Sequence, residues 1–379
     1  MSRLTIRGLS RYLVAFIIVV LSQFLIASTI EAKEFTAPAP STDAPLPSIP
    51  TWKGLPVVIH AAVFFNHIDS FDYNKGIFEA TTDVRMSWYD PRLSYPVSEG
   101  LNGHKEYRAS AAETEIAKIW TPQIRVVNRV GEPSFSERRL RLFPDGKVEI
   151  IARTTAEYKT PIDMTHFPFD HQHLEIELAV REDTIETVDL DFSQEDVKFS
   201  RAAKTAEISG WNIGIVNLER LLVSGWNGDR YAKVVASLNV QRVAGSTVAT
   251  IFIPLFASLL IPFLATWMNK VQDGGFAIDA FELANILVGG LFAVIALGFT
   301  ISSTYPIVVA NDSTVTRLIG LNYVALSIGL IITVVFYRYS LPKRFFCACV
   351  QEQMFRFLTW AFPVLFLSIG LAFVLVAAA

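Results

Sequence analysis

Four apolar segments in the last third of the chain constrain its fold more than any other feature. They are nearly free of charge and span residues 245–268, 283–301, 318–337 and 357–379. Each approaches the ~20 residues that an α-helix needs to cross a bilayer. A helix also satisfies all of its backbone hydrogen bonds without water. We therefore expect four membrane-spanning helices in this part of the chain.

The first two thirds of the chain are too polar to lie in a membrane. Although 51% of the 379 residues are hydrophobic, 18% are charged, and most of these precede the apolar segments. This contrast predicts a soluble domain over residues 51–241 and a membrane domain over residues 242–379. The net charge of -3 gives no support for a nucleic-acid partner.

The amino-terminal residues have the order of an export signal. Three arginines precede an apolar run over residues 12–27, and a small residue, Ala32, follows it. This order is typical of a secretory signal peptide, predicted over residues 1–32. A retained membrane anchor is the alternative, and in either case the next domain lies outside the cytosol. Residues 33–50 are rich in proline and predict an extended tether.

The predicted soluble domain has an apolar period of two. The clearest alternating runs are Val84-Met86-Trp88, Leu174-Ile176-Leu178 and Ala232-Val234-Ala236-Leu238-Val240. Each run predicts a strand with one buried face, and turn signals such as Pro144-Asp145-Gly146 separate the strands. We expect an all-β, immunoglobulin-like sandwich of about ten strands. A single helix is predicted within it, around residues 109–117.

Basic residues orient the membrane domain. Arg338, Lys343, Arg344 and Arg356 lie between the third and fourth apolar segments, and Lys270 follows the first. The positive-inside bias places these links in the cytoplasm. The sandwich and the carboxyl terminus then lie on the opposite side of the bilayer.

The sequence gives little sign of a metal-binding or catalytic site. The two cysteines, Cys347 and Cys349, fall in a predicted cytoplasmic link, where they stay reduced. Without further ligands nearby they do not predict a metal site. We find no His-Glu-x-x-His, no Gly-x-Ser-x-Gly and no phosphate-binding glycine loop. The sequence therefore predicts no enzyme, no cofactor and no metal.

One short motif resembles a known family. Residues 160–174 contain the run Phe167-Pro168-Phe169-Asp170. It is similar to the signature loop of the pentameric ligand-gated ion channels, the Cys-loop receptor superfamily. The cysteines that bracket the loop in that family are replaced by Thr160 and Leu174.

Further segments match the same family in the same order along the chain. They are Trp88-Tyr89-Asp90-Pro91-Arg92-Leu93, Trp120-Thr121-Pro122 with Asn128, Arg242 before the first apolar segment, and Pro254 within it. The missing cysteines and the short cytoplasmic link over 338–356 resemble prokaryotic members. The resemblance implies a homopentameric channel in a bacterial inner membrane, with the sandwich in the periplasm.

The resemblance also places a pore on the second apolar segment. Residues spaced three and four apart along one face of a helix line a pore. Starting at Glu282, which takes the place of the family's acid, this face contains Glu282, Asn285, Gly289, Phe292, Ala296, Phe299 and Ser303. A carboxylate facing lipid costs ~2.5 kcal/mol or more, so we expect Glu282 to face water and to favour monovalent cations.

Two further pore roles follow from the same register. Asn285 is expected to form a polar filter and Phe292 a hydrophobic gate that closes by dewetting. Three alternatives stay open. Phe292 packs between helices, Glu282 is an interfacial acid, or a shift of one residue presents Gly290, Ala293 and Leu297 instead.

The resemblance implies a set of residues that couple the two domains. They are Asp72 in the first hairpin, the signature residues Phe167, Pro168, Phe169 and Asp170, then Arg242, and the turn at Tyr305 and Pro306. We expect Arg242 to lie between two carboxylates, Asp72 and Asp170, as a charge-assisted cluster. The alternative is that these groups only hold the domains together.

The ligand positions of the family are the least well preserved. Asp83 and Val127 stand where a tryptophan and a tyrosine are common, and Trp226 and Tyr231 are the aromatic residues near the capping loop. Because cations bind to aromatic faces, an aromatic cage for an amine is not expected. The stimulus is an unidentified small molecule or a proton.

Histidines near the signature loop offer a second kind of stimulus. His166, His171 and His173 crowd this loop, and histidine changes charge near pH ~6.5. Proton sensing is one hypothesis, a metal site at His171 and His173 is another, and simple solvation of the loop is the third. For the chain as a whole, the alternative to a channel is a non-conducting, membrane-anchored ligand sensor.

Overall fold

The computed structural model describes residues 48–51, 54–100, 103–225, 228–272, 275–310 and 312–378. The predicted signal peptide and most of the predicted tether lie outside the described residues.

Ten strands form two facing sheets, as the alternating pattern predicts. The six-stranded sheet has the order β3-β5-β6-β2-β1-β8 and contains β1 (Val57–Asp72), β2 (Ile77–Tyr89), β3 (Lys105–Arg108), β5 (Arg129–Leu142), β6 (Lys147–Lys159) and β8 (Val188–Asp191). The four-stranded sheet has the order β4-β7-β10-β9 and contains β4 (Ile124–Val126), β7 (His171–Val180), β9 (Trp211–Ser224) and β10 (Arg230–Arg242). Neighbouring strands are antiparallel except β1 and β8. The predicted sandwich is confirmed.

The core lies between the sheets and uses the residues that alternate in the sequence. The apolar members of the runs on β7 and β10 are all buried, and so are Val84 and Trp88 of β2. Met86 is only partly buried, although it lies in the same phase. It borders a cleft between the sheets.

The sandwich contains more helix than the sequence predicts. The helix α1 (Ala109–Ile116) is confirmed, but the expectation of a single helix is wrong, because α2 (Gln194–Phe199) also forms. A capping box begins α2, in which Ser193 accepts a hydrogen bond from the Asp196 amide while the Asp196 carboxylate accepts one from the Ser193 amide. A helix of fewer than two turns is too short to show an apolar period.

Four long helices follow the sandwich. They are α3 (Ala244–Trp267), α4 (Ala280–Thr304), α6 (Thr314–Arg338) and α8 (Ala348–Ala378), and each is long and apolar enough to cross a membrane. Two short helices, α5 (Pro306–Ala310) and α7 (Leu341–Phe345), lie in the links, and a hairpin of β11 (Val271–Gln272) and β12 (Gly275–Phe276) joins α3 to α4. The helix α8 begins at Ala348 rather than at the predicted residue 357, because its polar first turns end the apolar run without ending the helix.

The helix α4 packs on its neighbours with one narrow face. Its buried residues are Ala280, Leu283, Leu287, Gly290, Val294 and Ile301, spaced three, four or seven apart. They contact α3 and α6. The opposite face of α4 is left uncovered by the residues that the structure describes, and we call it the uncovered face.

Candidate functional site: the junction between sandwich and helices

The junction is built around one buried ion pair. The Arg242 Nε atom lies 2.7 Å from Asp170 Oδ1, and Arg242 Nη2 lies 3.1 Å from Oδ2. The two side chains are only 7% and 1% exposed. The Arg242 amide also donates to the Asp170 carbonyl oxygen over 3.2 Å. The signature loop is therefore attached to the last residue of β10, two residues before α3 begins.

Three aromatic rings and one amide complete the surroundings of Arg242 and Asp170. The guanidinium carbon of Arg242 lies 4.2 Å from the ring centre of Trp211, 4.7 Å from that of Tyr73 and 5.1 Å from that of Phe167. Ring faces attract cations, and the Gln172 amide donates to Asp170 over 2.8 Å. The pair is therefore desolvated, and ring contacts and hydrogen bonds replace part of the lost water, which a buried ion pair needs.

The predicted cluster with two carboxylates is wrong. Asp72 does not reach Arg242: its carboxylate lies 3.1 Å from Lys75 Nζ and accepts the backbone N–H groups of Asn74 and Lys75. A carboxylate at the first position of a tight turn satisfies the turn's own donors. Tyr73, the next residue, contributes its ring to the guanidinium instead.

Phe167 connects the signature loop to the membrane domain. Its side chain is fully buried in the same apolar cluster as Ile251 and Phe252 of α3 and Ile301 of α4. The ring of Tyr305, at the end of α4, lies 5.9 Å from that of Phe167 and is stacked at 6.3 Å on that of Tyr73. Tyr305, the residue that follows α4, thus contacts the first hairpin through Tyr73 and the signature loop through Phe167.

The other predicted junction residues lie close by. Pro168 is buried and follows a cis peptide bond. Phe169 is half-buried and borders an apolar groove of about 450 Å³ with Phe252 of α3 and Leu367 of α8. Pro306 is exposed at the start of α5.

Hydrogen bonds close the signature loop where the family has a disulfide. The Thr160 hydroxyl donates to the His173 carbonyl oxygen, and the Thr160 amide donates to Gly76 over 2.8 Å. The Gln172 side chain accepts from the Asp163 amide and donates to the Asp163 carbonyl. Leu174 is buried in the sandwich core. The loop is held at both ends without a covalent bond.

The predicted pore residues share the uncovered face of α4. All seven, from Glu282 to Ser303, are exposed, and Phe292 and Phe299 are 67% and 74% exposed. At 100° per residue this face lies opposite the packing face. Glu282 is in the first turn of α4. Whether the face lines a pore stays a prediction.

The alternative register does not fit the packing of α4. A Cβ atom on Gly290 would lie 2.9 Å from Ile261 Cγ2 and 3.0 Å from Leu326 Cδ2. Gly290 therefore faces α3 and α6, whereas Gly289 has open space around it. For Gly290 to line a pore, α4 would have to rotate about its axis and lose these contacts with α3 and α6.

The predicted ligand residues that the structure describes lie on three separate parts of the sandwich. Asp83 lies on β2 of the six-stranded sheet and Tyr231 on β10 of the four-stranded sheet, where its ring packs tightly against Gly225. Val127 is 58% exposed after β4. Trp226 lies outside the described residues. Their ligand role stays a prediction.

Asp83 is occupied by an ion pair. Arg153 Nε and Nη2 each lie 2.7 Å from one of its carboxylate oxygens. Burial alone would raise the pKa of Asp83, but the hydrogen bonds and the charge of Arg153 hold this pKa below its usual value. The carboxylate is thus ionised and paired at neutral pH.

The three predicted histidines near the signature loop are exposed. His166 lies in the loop, and His171 and His173 lie on the outer face of β7, where His173 Nδ1 is 2.7 Å from Asn239 Oδ1. Within the described residues, no group of three or more His, Cys, Asp and Glu side chains is arranged to hold a metal ion.

Sequence reasoning missed three residues of the junction: Tyr73, Gln172 and Trp211. Gln172 carries a usable signal, because it lies in phase with Leu174 and Ile176 and is therefore a polar residue on the buried face of β7. Nothing local distinguishes Tyr73 or Trp211, whose contacts depend on the meeting of two hairpins.

Comparisons with known proteins agree with this architecture. Residues 47–244, just over half of the chain, match the neurotransmitter-gated ion-channel ligand-binding domain. The chain is 25% identical over 255 residues to a proton-gated ion channel of Gloeobacter violaceus, a match covering 66% of this chain and 65% of that protein.

More distant relatives come from animals. The chain is 21% identical over 246 residues to the glycine receptor subunit beta of Rattus norvegicus, a match covering 58% of this chain and 44% of the relative. The same values hold for the glycine receptor subunit beta of Mus musculus. The matches thus span less than two thirds of the length of each of these relatives.

Proposed function

Because this chain belongs to the family of neurotransmitter-gated ion channels, we propose that it is itself a ligand-gated ion channel that works as a homopentamer. The observation that carries the proposal is the uncovered face of α4, which has Glu282 and Ser303 at its ends and apolar residues in its middle. One helix does not enclose a pore, so copies must present this face around a common axis. The number five comes from the family.

The uncovered face supports a cation-selective pore with a hydrophobic gate. Five copies of Glu282 form a ring of negative charge, which favours monovalent cations. Asn285 forms a polar ring one turn further, and Phe292, with its exposed ring, narrows the pore in its apolar part. A dry constriction of this kind blocks ions without a steric plug.

The junction supports coupling between the sandwich and the pore helix. Tyr305 follows α4 directly and contacts Phe167 and Tyr73, whose rings also surround Arg242. A displacement of the signature loop therefore acts on the end of α4 through contacts between side chains. Such shared contacts are what a ligand must change in order to bias a closed–open equilibrium.

Protons and small molecules are the two classes of stimulus that we propose. A proton is supported by the name of one relative, a proton-gated ion channel, and by titratable groups on β7, which begins at the junction. Burial and the charge of Glu177 raise the pKa of Glu175 above its usual value, while His173 and Lys233 act in the opposite direction. A small-molecule ligand is the class suggested by the glycine receptor relatives.

We place the protein in a bacterial inner membrane, with the sandwich on the periplasmic side. A signal peptide over residues 1–32, a tether over 33–50, a sandwich over 51–241 and a membrane domain over 242–379 are consistent with this placement. The basic residues of the link between α6 and α8 support its cytoplasmic position. Channels of this family are not enzymes.

Current through the purified protein in a planar bilayer tests the proposal. We expect current after a drop from pH 7.5 to 5 or after addition of a small-molecule agonist such as an amino acid. Silence in acid, amine and divalent-ion screens would instead favour the non-conducting sensor.

The ion selectivity of a Glu282 variant tests which face of α4 lines the pore. Glu282→Gln removes the ring of charge, so the reversal potential under a salt gradient should shift toward zero. The control is Glu352→Gln, which removes an acid of α8 that is paired with Arg356 at 2.6 Å. An unchanged reversal potential in Glu282→Gln would contradict the assigned pore face.

A further inference from the structure

One aromatic ring fastens the link between α3 and α4 to two other helices. The ring centre of Phe276, in β12, lies 4.5 Å from that of Tyr337 near the end of α6 and 5.2 Å from that of Phe355 in α8, and both contacts are edge to face. The ring centres of Tyr337 and Phe355 lie 5.8 Å apart. Each ring therefore contacts the other two, and we call Phe276, Tyr337 and Phe355 the link cluster.

The link cluster is held by ring contacts rather than by polar groups. Phe355 is buried, and the buried Tyr337 hydroxyl forms no hydrogen bond with any residue that the structure describes. Because a buried hydroxyl without a partner is unfavourable, the contacts of the Tyr337 ring must outweigh this cost. Edge-to-face aromatic pairs are favourable beyond the area that they bury. Loss of the Phe276 ring would remove two of the three ring contacts.

A second set of contacts connects Phe276 with α4. The buried Asn269 side chain donates to the Ile278 carbonyl oxygen over 3.3 Å and accepts from the Ile278 amide over 3.1 Å. These two bonds fix the chain just beyond Phe276. Ile278 and Tyr337 both pack against the buried apolar cluster that contains Leu283 of α4. The link cluster and the start of α4 thus share packing contacts.

Glu282 lies in the part of α4 that these contacts hold. Asp279 directly precedes α4, and its carbonyl oxygen accepts from the Leu283 amide over 3.4 Å. Leu283, the residue after Glu282, is fully buried. A functional side chain keeps its place only when the packing around it is fixed. The position of the Glu282 carboxylate therefore depends on how firmly the first turn of α4 is held.

We propose that Phe276 is a positioning residue of the pore, which holds the first turn of α4, and with it Glu282, through the rings of Tyr337 and Phe355. It acts through packing rather than by contact with ions. Its effect on ions rests on the proposed pore role of Glu282, whereas its effect on α4 does not. Phe345, at the end of α7, is 74% exposed and provides a matched control ring outside the link cluster.

Backbone hydrogen exchange of the purified full-length protein in detergent, followed by mass spectrometry, tests the hold on α4. In Phe276→Ala, the amides of residues 283–287 should exchange about tenfold faster, because local opening costs less where packing is lost. The amides of residues 301–304, beside the sandwich, should change by less than about twofold, and Phe345→Ala should change neither segment. Unchanged exchange over 283–287, or equal acceleration at both ends of α4, would overturn the proposal.

Variants of Tyr337 test whether the rings act together. Tyr337→Phe removes only the unpartnered hydroxyl, so exchange over 283–287 should stay within about twofold of wild type. Tyr337→Leu should accelerate it as Phe276→Ala does, and the double variant should add little, because both changes remove the same contact. Effects that multiply in the double variant would overturn a shared hold on α4. If Phe276→Ala does not fold, Phe276→Leu replaces it.

The reversal potential under a salt gradient tests what Phe276 does for the pore. Phe276→Ala should move it toward zero, by less than Glu282→Gln does, while Phe276→Tyr keeps the ring and should leave it unchanged. A merely structural role would lower the yield of folded protein without moving this potential. If the wild type conducts and Phe276→Ala keeps its reversal potential, the positioning role is rejected and the pore proposal stands. If the wild type does not conduct, the pore proposal fails, and hydrogen exchange alone decides whether Phe276 holds α4.

Discussion

The junction and the predicted ligand positions differ in how completely one chain builds them. At the junction, Arg242 and Asp170 are buried, paired and surrounded by rings from two hairpins. At the ligand positions, Asp83 and Tyr231 lie on different sheets, and Asp83 is paired with a half-exposed Arg153. The contrast teaches that the contacts of the junction are completed within one chain, whereas the described ligand positions are spread over separate strands.

The same contrast recurs along α4. One face is packed on α3 and α6, and the other is left uncovered. We expect neighbouring copies, ions or ligands to contact the surfaces that a single chain leaves uncovered. Three predictions, which use five substitutions, test whether packed and uncovered regions differ in this way.

The largest effect is expected from Arg242→Ala. It leaves the buried Asp170 carboxylate without its partner, and the loss of one member of a buried pair costs about 3–5 kcal/mol. Unfolding by denaturant or heat, followed in detergent, measures this cost. The control is Asp72→Asn, which removes an exposed pair with Lys75 worth less than about 1 kcal/mol. Equal losses of stability in Arg242→Ala and Asp72→Asn would instead favour a cluster in which Arg242 lies between Asp72 and Asp170.

An intermediate effect is expected from the adjacent glycines of α4. Gly290→Ala pushes a methyl group against Ile261 and Leu326 and should cost about 1–3 kcal/mol. Gly289→Ala meets no atom within 4 Å, and it should stabilise the helix by up to about 1 kcal/mol. Melting temperatures of the two variants give the comparison. If Gly289→Ala were less stable than Gly290→Ala, α4 would have to present a different face to α3.

The smallest effect is expected from Asp83→Asn, at about 1 kcal/mol near neutral pH. The pKa of Asp83 is lower in the folded state than its usual value of ~3.9. The pair with Arg153 therefore contributes stability above this usual value and loses it as pH falls through the folded pKa. The difference in melting temperature between wild type and variant should shrink from pH 7 to about pH 3. A constant difference would contradict an ionised Asp83.

Patterns local to the sequence predicted most of the fold. Period-two runs identified β2 in the six-stranded sheet and β7 and β10 in the four-stranded sheet, and apolar runs identified the four long helices. Two features were missed: α2, which is too brief to show a period, and the start of α8, whose first turns contain the polar residues Gln351, Glu352 and Gln353. At the junction, Asp170, Phe167 and Tyr305 were correctly placed together, but Asp72 was not, because its turn satisfies the carboxylate locally.

What the sequence by itself determined is the succession of elements, since alternation, helix length and turn chemistry depend on residues close together in the chain. What only the tertiary structure decided is which faces meet. The pairing of Arg242 with Asp170 rather than Asp72 and the burial of Gly290 rather than Gly289 both depend on contacts between distant segments. Such contacts are set by packing geometry, which no local period encodes.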